Sequence, residues 1–575
     1  MISIKRTNIK KIFTFGIVLL TFFRVLINVR MTYCIHQLMM DDDGLMYLYA
    51  DFLKKFNYLG AYNVRTLTKG ISYSIFLAFS TRTWIPYSFL ISALDILAAY
   101  VFIKAIKGKI SNRYLLGIVY LLLLFNPMNL DCQIRQRMYR NSLIPDMVVL
   151  TFSLLIGLFF RRNEEIKTQI KWSVCAGISL SYFYYLREDS FWILPFVFTT
   201  MILEILNIFF FNKDKIENIR TKKYIVKRVA VYVLPLMILF TCTLSLKSLN
   251  KVYYGVFLVN DRSDSYFANV MEDLYKIDAK DENSKVWLSK DAVKVAFENS
   301  KSLKKIEKDF YKNFNYWKKN PSAYNGQEVY GDLLSWTFRG AAADYGIYKN
   351  AVKANNYWKE VDLELKEAAK SGKIKQKSAI YISKQARGIK PSEVPVFLKD
   401  AVRNVGASSR YKYCKMDAIA NSLGNLSDIR RYETEYGVYA QLPMKTGDAK
   451  AATSMGVTDK ANKIIKVYQI ISKVVSPLAL LSYIALTVLV VYQIFQKKFE
   501  NLEMWLMITG VALSGYVLML GVTFFTSFLD ERLLLFYGSG TYSLMQMSKY
   551  MVLLCVGSIC FKKYRNMKLI NKGCE

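Results

Sequence analysis

The chain has 575 residues, 53% of them hydrophobic, and its apolar residues come in runs of about 18–25, long enough to cross a hydrocarbon layer of roughly 30 Å. This pattern excludes a wholly soluble protein, in which apolar residues are dispersed. The net charge of +34 would suit a nucleic-acid-binding protein, but no binding module accompanies it. Many basic residues instead lie in short loops between apolar runs, where they meet membrane lipids, so no nucleic-acid partner is expected.

Run length predicts about ten transmembrane helices, at 12–30, 85–105, 113–127, 142–160, 172–187, 190–211, 229–247, 467–495, 502–528 and 541–561. The first run imitates a signal peptide, but no small-residue cleavage site follows it, so we interpret it as a retained helix. The expected fold class is an α-helical polytopic membrane protein with a large, mainly helical extracytoplasmic insert. Its predicted parts are a transmembrane module at 1–247 with a first outer loop at 31–84, a soluble insert at 248–465, and a second transmembrane module at 466–575.

Basic residues mark alternate loops of this topology. Lys and Arg precede the first span and follow the second, fourth, sixth, eighth and tenth spans. By the positive-inside rule these loops and both termini are cytoplasmic, and the insert at 248–465 is extracytoplasmic. Within the insert, the sequence at 255–259 resembles a short strand. Abundant Lys, Ile, Asn and Tyr suggest an AT-rich bacterial genome, so a bacterial cell membrane is expected.

The residue types available for chemistry are restricted. The eight cysteines are scattered without a CxxC pair, and His36 is the single histidine. A cysteine-held zinc site and a histidine-based triad are therefore not expected. Acid–base chemistry falls to carboxylates, Lys or Tyr.

Three adjacent carboxylates, Asp41, Asp42 and Asp43, follow the first span. Apolar side chains then recur with helical spacing from Leu45 to Phe56, which predicts an amphipathic helix along the membrane interface. Two interpretations stay open: the acids cap this helix and favour its positive end, or they serve catalysis, because clustered carboxylates shift one another's pKa. The triplet would also suit Mg²⁺ or Mn²⁺ with Asp42 and Asp43 as ligands, and both a metal-dependent and a metal-free site fit the sequence.

Cationic side chains occur in two further outer segments. The segment at 62–73 places Lys69 in a Lys-Gly step before a predicted helix, which either presents a cation and free backbone N–H groups to an anion or forms an ordinary turn. Arg135, Arg137 and Arg140 lie in a short loop. They either hold phosphate or carboxylate through bidentate contacts or pair with carboxylates of the protein itself.

Charged trios lie at two more outer corners. They are Arg187-Glu188-Asp189, which ends the fifth span, and Asp530-Glu531-Arg532, which precedes the last. Asp95 is a lone carboxylate inside the second span, where ionisable residues are often functional. We interpret it as structural, hydrogen-bonded to a neighbouring Ser or Tyr.

The order of these segments resembles that of a known family. A first span, an outer loop opening with adjacent acids, an interface helix and a Lys-Gly segment running into the next helix are similar to the GT-C superfamily, integral membrane glycosyltransferases that use polyprenyl-phosphate-linked sugars. The stretches at 41–44 and 62–73 carry the resemblance, with the corners at Arg187 and Arg532. Members share a seven-helix module and often a C-terminal soluble domain, whereas here three further predicted spans follow the insert.

The resemblance implies transfer of a hexosyl or pentosyl unit from a polyprenyl-phosphate carrier to a glycan, lipid or protein acceptor at the outer face. A carboxylate of the triplet would act as general base, with Asp42 or Asp43 favoured over Asp41. The donor phosphate would contact cations, namely Lys69, Arg137, Arg140, Arg187 and Arg532. The substrate would contact the remaining polar residues, namely Glu188, Asp189, Tyr62, Asn63 and Tyr73.

Three other classes of protein fit the same features. They are a polymerase of lipid-linked polysaccharide, a flippase or transporter without chemistry, and an envelope scaffold whose insert binds a partner. Few intramembrane charges and no paired, Gly- or Pro-broken helices weigh against transport. The transferase interpretation requires the acids and cations of distant loops to gather around one cavity.

Overall fold

The structure is a computed structural model that describes residues 2–40, 42–207, 222–280, 282–321, 323–416, 421–442, 457–528 and 533–573. It is 72% helical. Among the described residues, seven helices are long and apolar enough to cross a membrane: Ile9–Arg30, Tyr87–Ile106, Arg113–Leu130, Ile225–Tyr254, Val457–Phe495, Leu502–Phe524 and Leu533–Arg565. A multi-pass helical membrane protein is thereby confirmed.

The first part of the described chain forms helices α1–α9. They are α1 (Ile2–Arg30), α2 (Asp43–Lys54), α3 (Ser72–Thr83), α4 (Tyr87–Ile106), α5 (Arg113–Leu124), α6 (Ile144–Phe160), α7 (Ile166–Tyr184), α8 (Leu194–Leu206) and α9 (Lys222–Tyr254). The amphipathic helix predicted after the aspartates is present as α2. Two predicted spans are shorter apolar helices, Ile144–Phe160 and Ser190–Leu206. The fifth predicted span coincides with α7, which is not one of the seven.

Helices α10–α17 follow between α9 and the next long helix. They are α10 (Tyr266–Lys276), α11 (Lys290–Asn299), α12 (Lys301–Lys304), α13 (Glu307–Trp317), α14 (Leu333–Asp344), α15 (Ala351–Lys370), α16 (Val394–Ser409) and α17 (Leu426–Tyr436). Ser265, Ser289 and Asn350 begin three of them by accepting hydrogen bonds from first-turn N–H groups. The strand predicted at 255–259 is wrong, because irregular chain follows the end of α9 there.

Three long helices complete the described chain: α18 (Val457–Phe495), α19 (Leu502–Phe528) and α20 (Leu533–Gly573). The loops after α4, α6 and α18 meet at one end of the bundle. Glu503 at the start of α19 pairs with Lys109 at 2.7 Å and also with Arg162. Arg161 donates to the carbonyl of Lys104 at 2.6 Å. These basic loops therefore share one end of the helix bundle.

The region between α9 and α18 is divided between two hydrophobic cores. A core of its own surrounds Trp287, Phe338 and Trp358. From Ala407 onward, however, the apolar side chains belong to the core of the long helices, and Tyr411 is a fully buried example. The region between α9 and α18 thus packs partly on itself and partly on the long helices.

Two contacts tie the later part of this region to the first outer loop and the bundle. Strand β1 (Thr32–Tyr33) pairs in parallel with β2 (Tyr439–Ala440). Lys549 in α20 donates to the carbonyl of Ser409 at the end of α16, at 2.6 Å. The later part of the region is thus joined both to the first outer loop and to α20.

A closed charge network holds α1, α4 and α6 together. Asp95 is buried and bonds to Arg24 at 2.9 Å and to Arg135 at 2.7 Å. Arg135 also binds Asp146 at 2.6 Å. The expectation that Asp95 bonds to Ser or Tyr is corrected, because two arginines from distant segments reach it. Removing one member would leave its buried partners uncompensated.

Candidate active site

One cavity of about 1430 Å³ lies between the ends of the long helices and the region of α10–α16. Polar side chains from four separated segments line it: Asp42, Lys69, Arg140, Arg187, Glu188 and Asp189. The volume exceeds the roughly 300–1,000 Å³ of a pocket for one small ligand. Six of the residues singled out in the sequence thus share one cavity that is large enough for two substrates.

Asp42 stands just before α2 and reaches into this cavity. Its side chain accepts no capping hydrogen bond from the described N–H groups of α2, so the helix-cap interpretation does not apply to it. Its Oδ1 instead accepts a hydrogen bond from Lys69 Nζ at 2.6 Å. Burial raises the pKa of Asp42, but Lys69, together with Arg140 and Arg137, outweighs burial and lowers that pKa to about 2. The Asp42 side chain is 41% exposed and that of Lys69 only 7%, so the carboxylate is the accessible partner.

Asp43 lies one layer behind the cavity. It is fully buried and accepts hydrogen bonds from Arg137 Nε at 2.7 Å and Nη2 at 2.6 Å. Burial raises the pKa of Asp43, and the guanidinium opposes that rise. Arg137 in turn stacks over the rings of Tyr139 and Phe536, at 4.9 and 5.3 Å. Because these two rings form the cavity wall, Asp43 and Arg137 support the wall and do not line it.

Glu188 joins two walls of the site. Both of its oxygens accept hydrogen bonds from Arg140 Nη1 at 2.7 Å, and Oε1 also accepts one from the N–H of Gly70 at 2.7 Å. Burial raises the pKa of Glu188, but Arg140 and then Lys69 lower it to about 2. The Gly70 N–H, which the sequence suggested for an external anion, is therefore used by a carboxylate of the protein.

Gly70 is required by a close backbone approach. A Cβ atom at this position would lie 2.3 Å from the carbonyl oxygen of Tyr185. The backbone N–H of Ser72 also donates to that carbonyl, at 3.2 Å. The segment that carries Lys69 is thereby held against the end of α7, next to Glu188.

Arg187 and Asp189 form a local ion pair in the cavity. Arg187 Nε and Nη2 donate to the two Asp189 oxygens at 2.9 and 2.5 Å. The guanidinium also lies 5.3 Å from the ring centre of Tyr537. Asp189 is 49% exposed, and partly exposed pairs are held weakly. An incoming anion can therefore replace Asp189 on Arg187 at modest cost.

Apolar side chains complete the lining: Phe191, Trp192 and Pro195 near the start of α8, and Val517, Leu518, Leu520 and Val522 in α19. Phe191 and Val517 are partly exposed. A Cβ at Gly521 in α19 would meet no atom within 4 Å. The cavity lining is thus polar in one part and apolar in another.

Besides Asp43 and Arg137, three described residues that were expected at the site do not line the cavity: Tyr62, Asn63 and Tyr73. Tyr62 stacks with Tyr348, with ring centres 6.3 Å apart, and Asn63 closes a turn by accepting a backbone N–H two residues on. Tyr73 is fully buried, and its hydroxyl lies 3.3 Å from that of Tyr87. Asp41 and Arg532 lie outside the described residues, as do the neighbours of Arg532 in its charged trio.

The sequence did not single out the residues that α10–α16 and their loops bring to the cavity. These are Arg262, Lys285, Tyr330, Asp332, Trp336, Arg387, Asp400 and Arg403. They are far apart in the chain and form no sequence motif. Only the folded protein brings them to one cavity. With them, the lining holds seven cationic side chains and five carboxylates. The cavity therefore favours anionic ligands.

The carboxylates of the described site do not fit a divalent metal. Both Asp43 oxygens are bound by Arg137, and Asp42 Oδ1 is bound by Lys69. Among the described residues, no group of three or more His, Cys, Asp or Glu side chains has the arrangement of a metal site. Asp42 and Asp43 are instead each paired with a cationic side chain.

Comparisons of the chain with protein-family models, with curated proteins and with solved structures give no match.

Proposed function

We propose that this protein is a membrane glycosyltransferase of the GT-C type, which moves a sugar from a polyprenyl-phosphate carrier to an acceptor hydroxyl. The observation that carries the proposal is the shared cavity of Asp42, Lys69, Arg140, Arg187 and the Glu188 corner. Residues from four separated segments meet there, with apolar side chains of α19 and of the start of α8 beside them. A lipid-linked sugar phosphate has the same two-part character, an anionic head and an apolar tail.

The proposal includes a membrane orientation. We infer about ten spans, with the basic end of the bundle in the cytoplasm and the cavity on the outer side of a bacterial membrane. The meeting of Lys109, Arg162 and Glu503 at one end supports the alternation on which this rests. A cysteine introduced for the exposed Lys294 is expected to react with an impermeant thiol reagent on intact cells, above the background of native cysteines. One introduced for Lys107 is expected to react only after lysis, and the reverse pattern overturns the orientation.

In the proposed reaction the acceptor oxygen attacks the anomeric carbon, the bond from that carbon to the phosphate oxygen breaks, and polyprenyl phosphate leaves. The acceptor proton passes to Asp42, a half-exposed carboxylate that lies beside Lys69 in the cavity. Lys69, Arg140 and Arg187 stabilise the negative charge that grows on the leaving phosphate. General-base assistance of this kind contributes roughly 10²–10⁴-fold to the rate.

Donor binding also adjusts the base. While Lys69 holds Asp42, the pKa of about 2 makes this carboxylate a weak base. The Lys69 ammonium is 7% exposed, and its present partner Asp42 is half exposed. A donor phosphate carries more charge than the Asp42 carboxylate and therefore attracts this ammonium more strongly. Release of Asp42 from Lys69 raises its pKa and its basicity at the moment the donor arrives.

The test uses the purified full-length protein in lipid nanodiscs with polyprenyl-phosphoryl-[¹⁴C]hexose, and water or added glycan as acceptor. Wild type is expected to release polyprenyl phosphate and free or transferred labelled hexose. The variant Asp42→Asn is expected to lose roughly 10²–10⁴-fold of this rate without a change in melting temperature.

The matched control is Asp344→Asn, because Asp344 is also 41% exposed and pairs with a lysine, Lys312, at 3.2 Å outside the cavity. It is expected to keep the wild-type rate. Full activity of Asp42→Asn would remove the base assignment. Donor binding without any release of phosphate would replace the transferase by a flippase or transporter.

A further inference from the structure

The region of α10–α16 contributes a separate part of the cavity wall. None of its residues takes part in the proposed reaction. We call it the insert wall and define it by Arg262, Lys285, Tyr330, Trp336 and Arg403. Three of these side chains are cationic and two are aromatic. The donor phosphate is already provided with cations from the bundle, so the insert wall is available to the second substrate.

The cations of the insert wall differ in how firmly they are held. Arg262 pairs with Asp332 at 2.7 Å and lies 4.8 Å from the ring centre of Trp336. Arg403 is 69% exposed, and its contact with Asp400 is long, at 3.5 Å. Exposed contacts of this kind contribute little energy, so Arg403 is available to a ligand.

Lys285 is exposed, and no ion pair joins it to a carboxylate among the described residues. Its ammonium lies 6.0 Å from the ring centre of Tyr330. The backbone N–H of Gly331, the residue after Tyr330, donates to the Lys285 carbonyl at 2.9 Å. The backbone thereby keeps a cation and an aromatic ring next to each other at the cavity surface.

Cations beside partly exposed aromatic rings match one class of ligand. The apolar faces of sugar rings pack on aromatic side chains, and phosphate or carboxylate groups along the chain pair with Lys and Arg. A neutral glycan would pack on the rings but would offer no anionic group to Lys285 and Arg403. A free inorganic anion would use the cations but not the rings.

We propose that the insert wall binds an anionic glycan as the acceptor, with sugar rings on Tyr330 and Trp336 and anionic groups on Lys285 and Arg403. This rests on the proposed function, because it names the acceptor class of the same cavity. The anion comes either from phosphodiester links or from uronate carboxylates, and the two sources share this chemistry.

The experiment measures binding to the full-length protein in nanodiscs by fluorescence polarisation. Three fluorescein-labelled probes of equal length are compared: a glycerol-phosphate oligomer, an oligogalacturonate and a neutral dextran oligomer. Wild type is expected to bind at least one anionic probe more tightly than dextran, with an affinity that falls as salt increases. The tighter of the two anionic probes identifies the source of the charge.

The double variant Lys285→Ala/Arg403→Ala is expected to lose roughly tenfold in affinity for the anionic probe, with dextran binding unchanged. The control Lys294→Ala/Lys312→Ala removes the same charge from exposed sites outside the cavity and is expected to bind as wild type does. Trp336→Leu is expected to weaken all three probes.

Equal binding of dextran and both anionic probes by wild type would overturn the proposal, as would an equal loss in the control variant. No donor is present in these measurements, so they are independent of sugar transfer. If the donor assay fails while the anionic probes still bind, the transferase proposal is overturned and the glycan site stands. If sugar is transferred but the anionic probes do not bind preferentially, only the glycan site is overturned.

Discussion

Two clusters of Asp with Arg or Lys differ in one property, access to the cavity. Arg24, Asp95, Arg135 and Asp146 form a network in which the side chains of the first three are fully inaccessible. In the cavity, Asp42 and Asp189 are each nearly half exposed while their cationic partners Lys69 and Arg187 are almost buried.

The difference predicts a structural role for the buried network and an exchangeable one for the ion pairs of the cavity. In the buried network each ion depends on the others, because removing one leaves an uncompensated charge in a low-dielectric interior. In the cavity, water already competes for the carboxylates, so a substrate can replace one partner. The same residue types thus hold helices together in one place and are exchangeable in the other.

The largest expected effect comes from breaking the buried network. Arg135→Gln leaves Asp95 and Asp146 without their shared cation, at a cost of about 3–5 kcal/mol in the free energy of unfolding. Lys69→Gln in the cavity is expected to cost about 1 kcal/mol or less. Thermal unfolding of the two variants in the same detergent measures the contrast. Equal melting temperatures would show that access to the cavity does not separate the two clusters.

The next largest effect concerns the rate. Arg187→Gln removes a cation proposed to stabilise the leaving phosphate, and the transfer rate is expected to fall roughly 10²–10³-fold. Asp189→Asn removes only its exchangeable partner and is expected to change the rate by less than about tenfold. Both rates are measured with the labelled donor described above. If Arg187→Gln retained the wild-type rate, Arg187 would not stabilise the leaving phosphate.

A smaller effect is expected from pH. The pKa of Glu188 is lowered from 4.5 to about 2 in the folded protein, so its ionised form stabilises the fold above pH 4.5. This contribution is lost as the pH falls through the folded pKa. The melting temperature of wild type is therefore expected to fall more steeply between pH 4.5 and 2 than that of Glu188→Gln. The control Glu298→Gln, at an exposed position, is expected to follow wild type, and parallel curves for all three would contradict the assignment.

The smallest effects are expected at residues that the fold keeps out of the cavity. Tyr73→Phe removes one hydroxyl contact to Tyr87 and is expected to cost about 1 kcal/mol of stability. Asn63→Ala opens a turn. Both variants are expected to keep donor KM within about twofold of wild type, because neither side chain lines the cavity. A donor KM raised tenfold in either variant would place it in the site after all.

Much of the site was predictable from residue types and their place in the topology. Asp42, Lys69, Arg140 and Arg187 were expected to meet because their loops fall at one end of alternating helices. Which partner each would take was not predictable. Asp42 and Asp43 are adjacent in the chain, yet their positions differ. Asp43 is buried behind the cavity wall and paired with Arg137, whereas Asp42 reaches the cavity and is paired with Lys69.

The sequence by itself determined the apolar helices, because run length against the thickness of a bilayer leaves few alternatives. It also determined that acids and cations concentrate in alternate loops. Only the tertiary structure decided that Asp95 joins Arg24 and Arg135, and that α10–α16 complete the cavity. The physical reason is that ion pairing and cavity lining depend on contacts between residues far apart in the chain, whereas helix formation depends on neighbours.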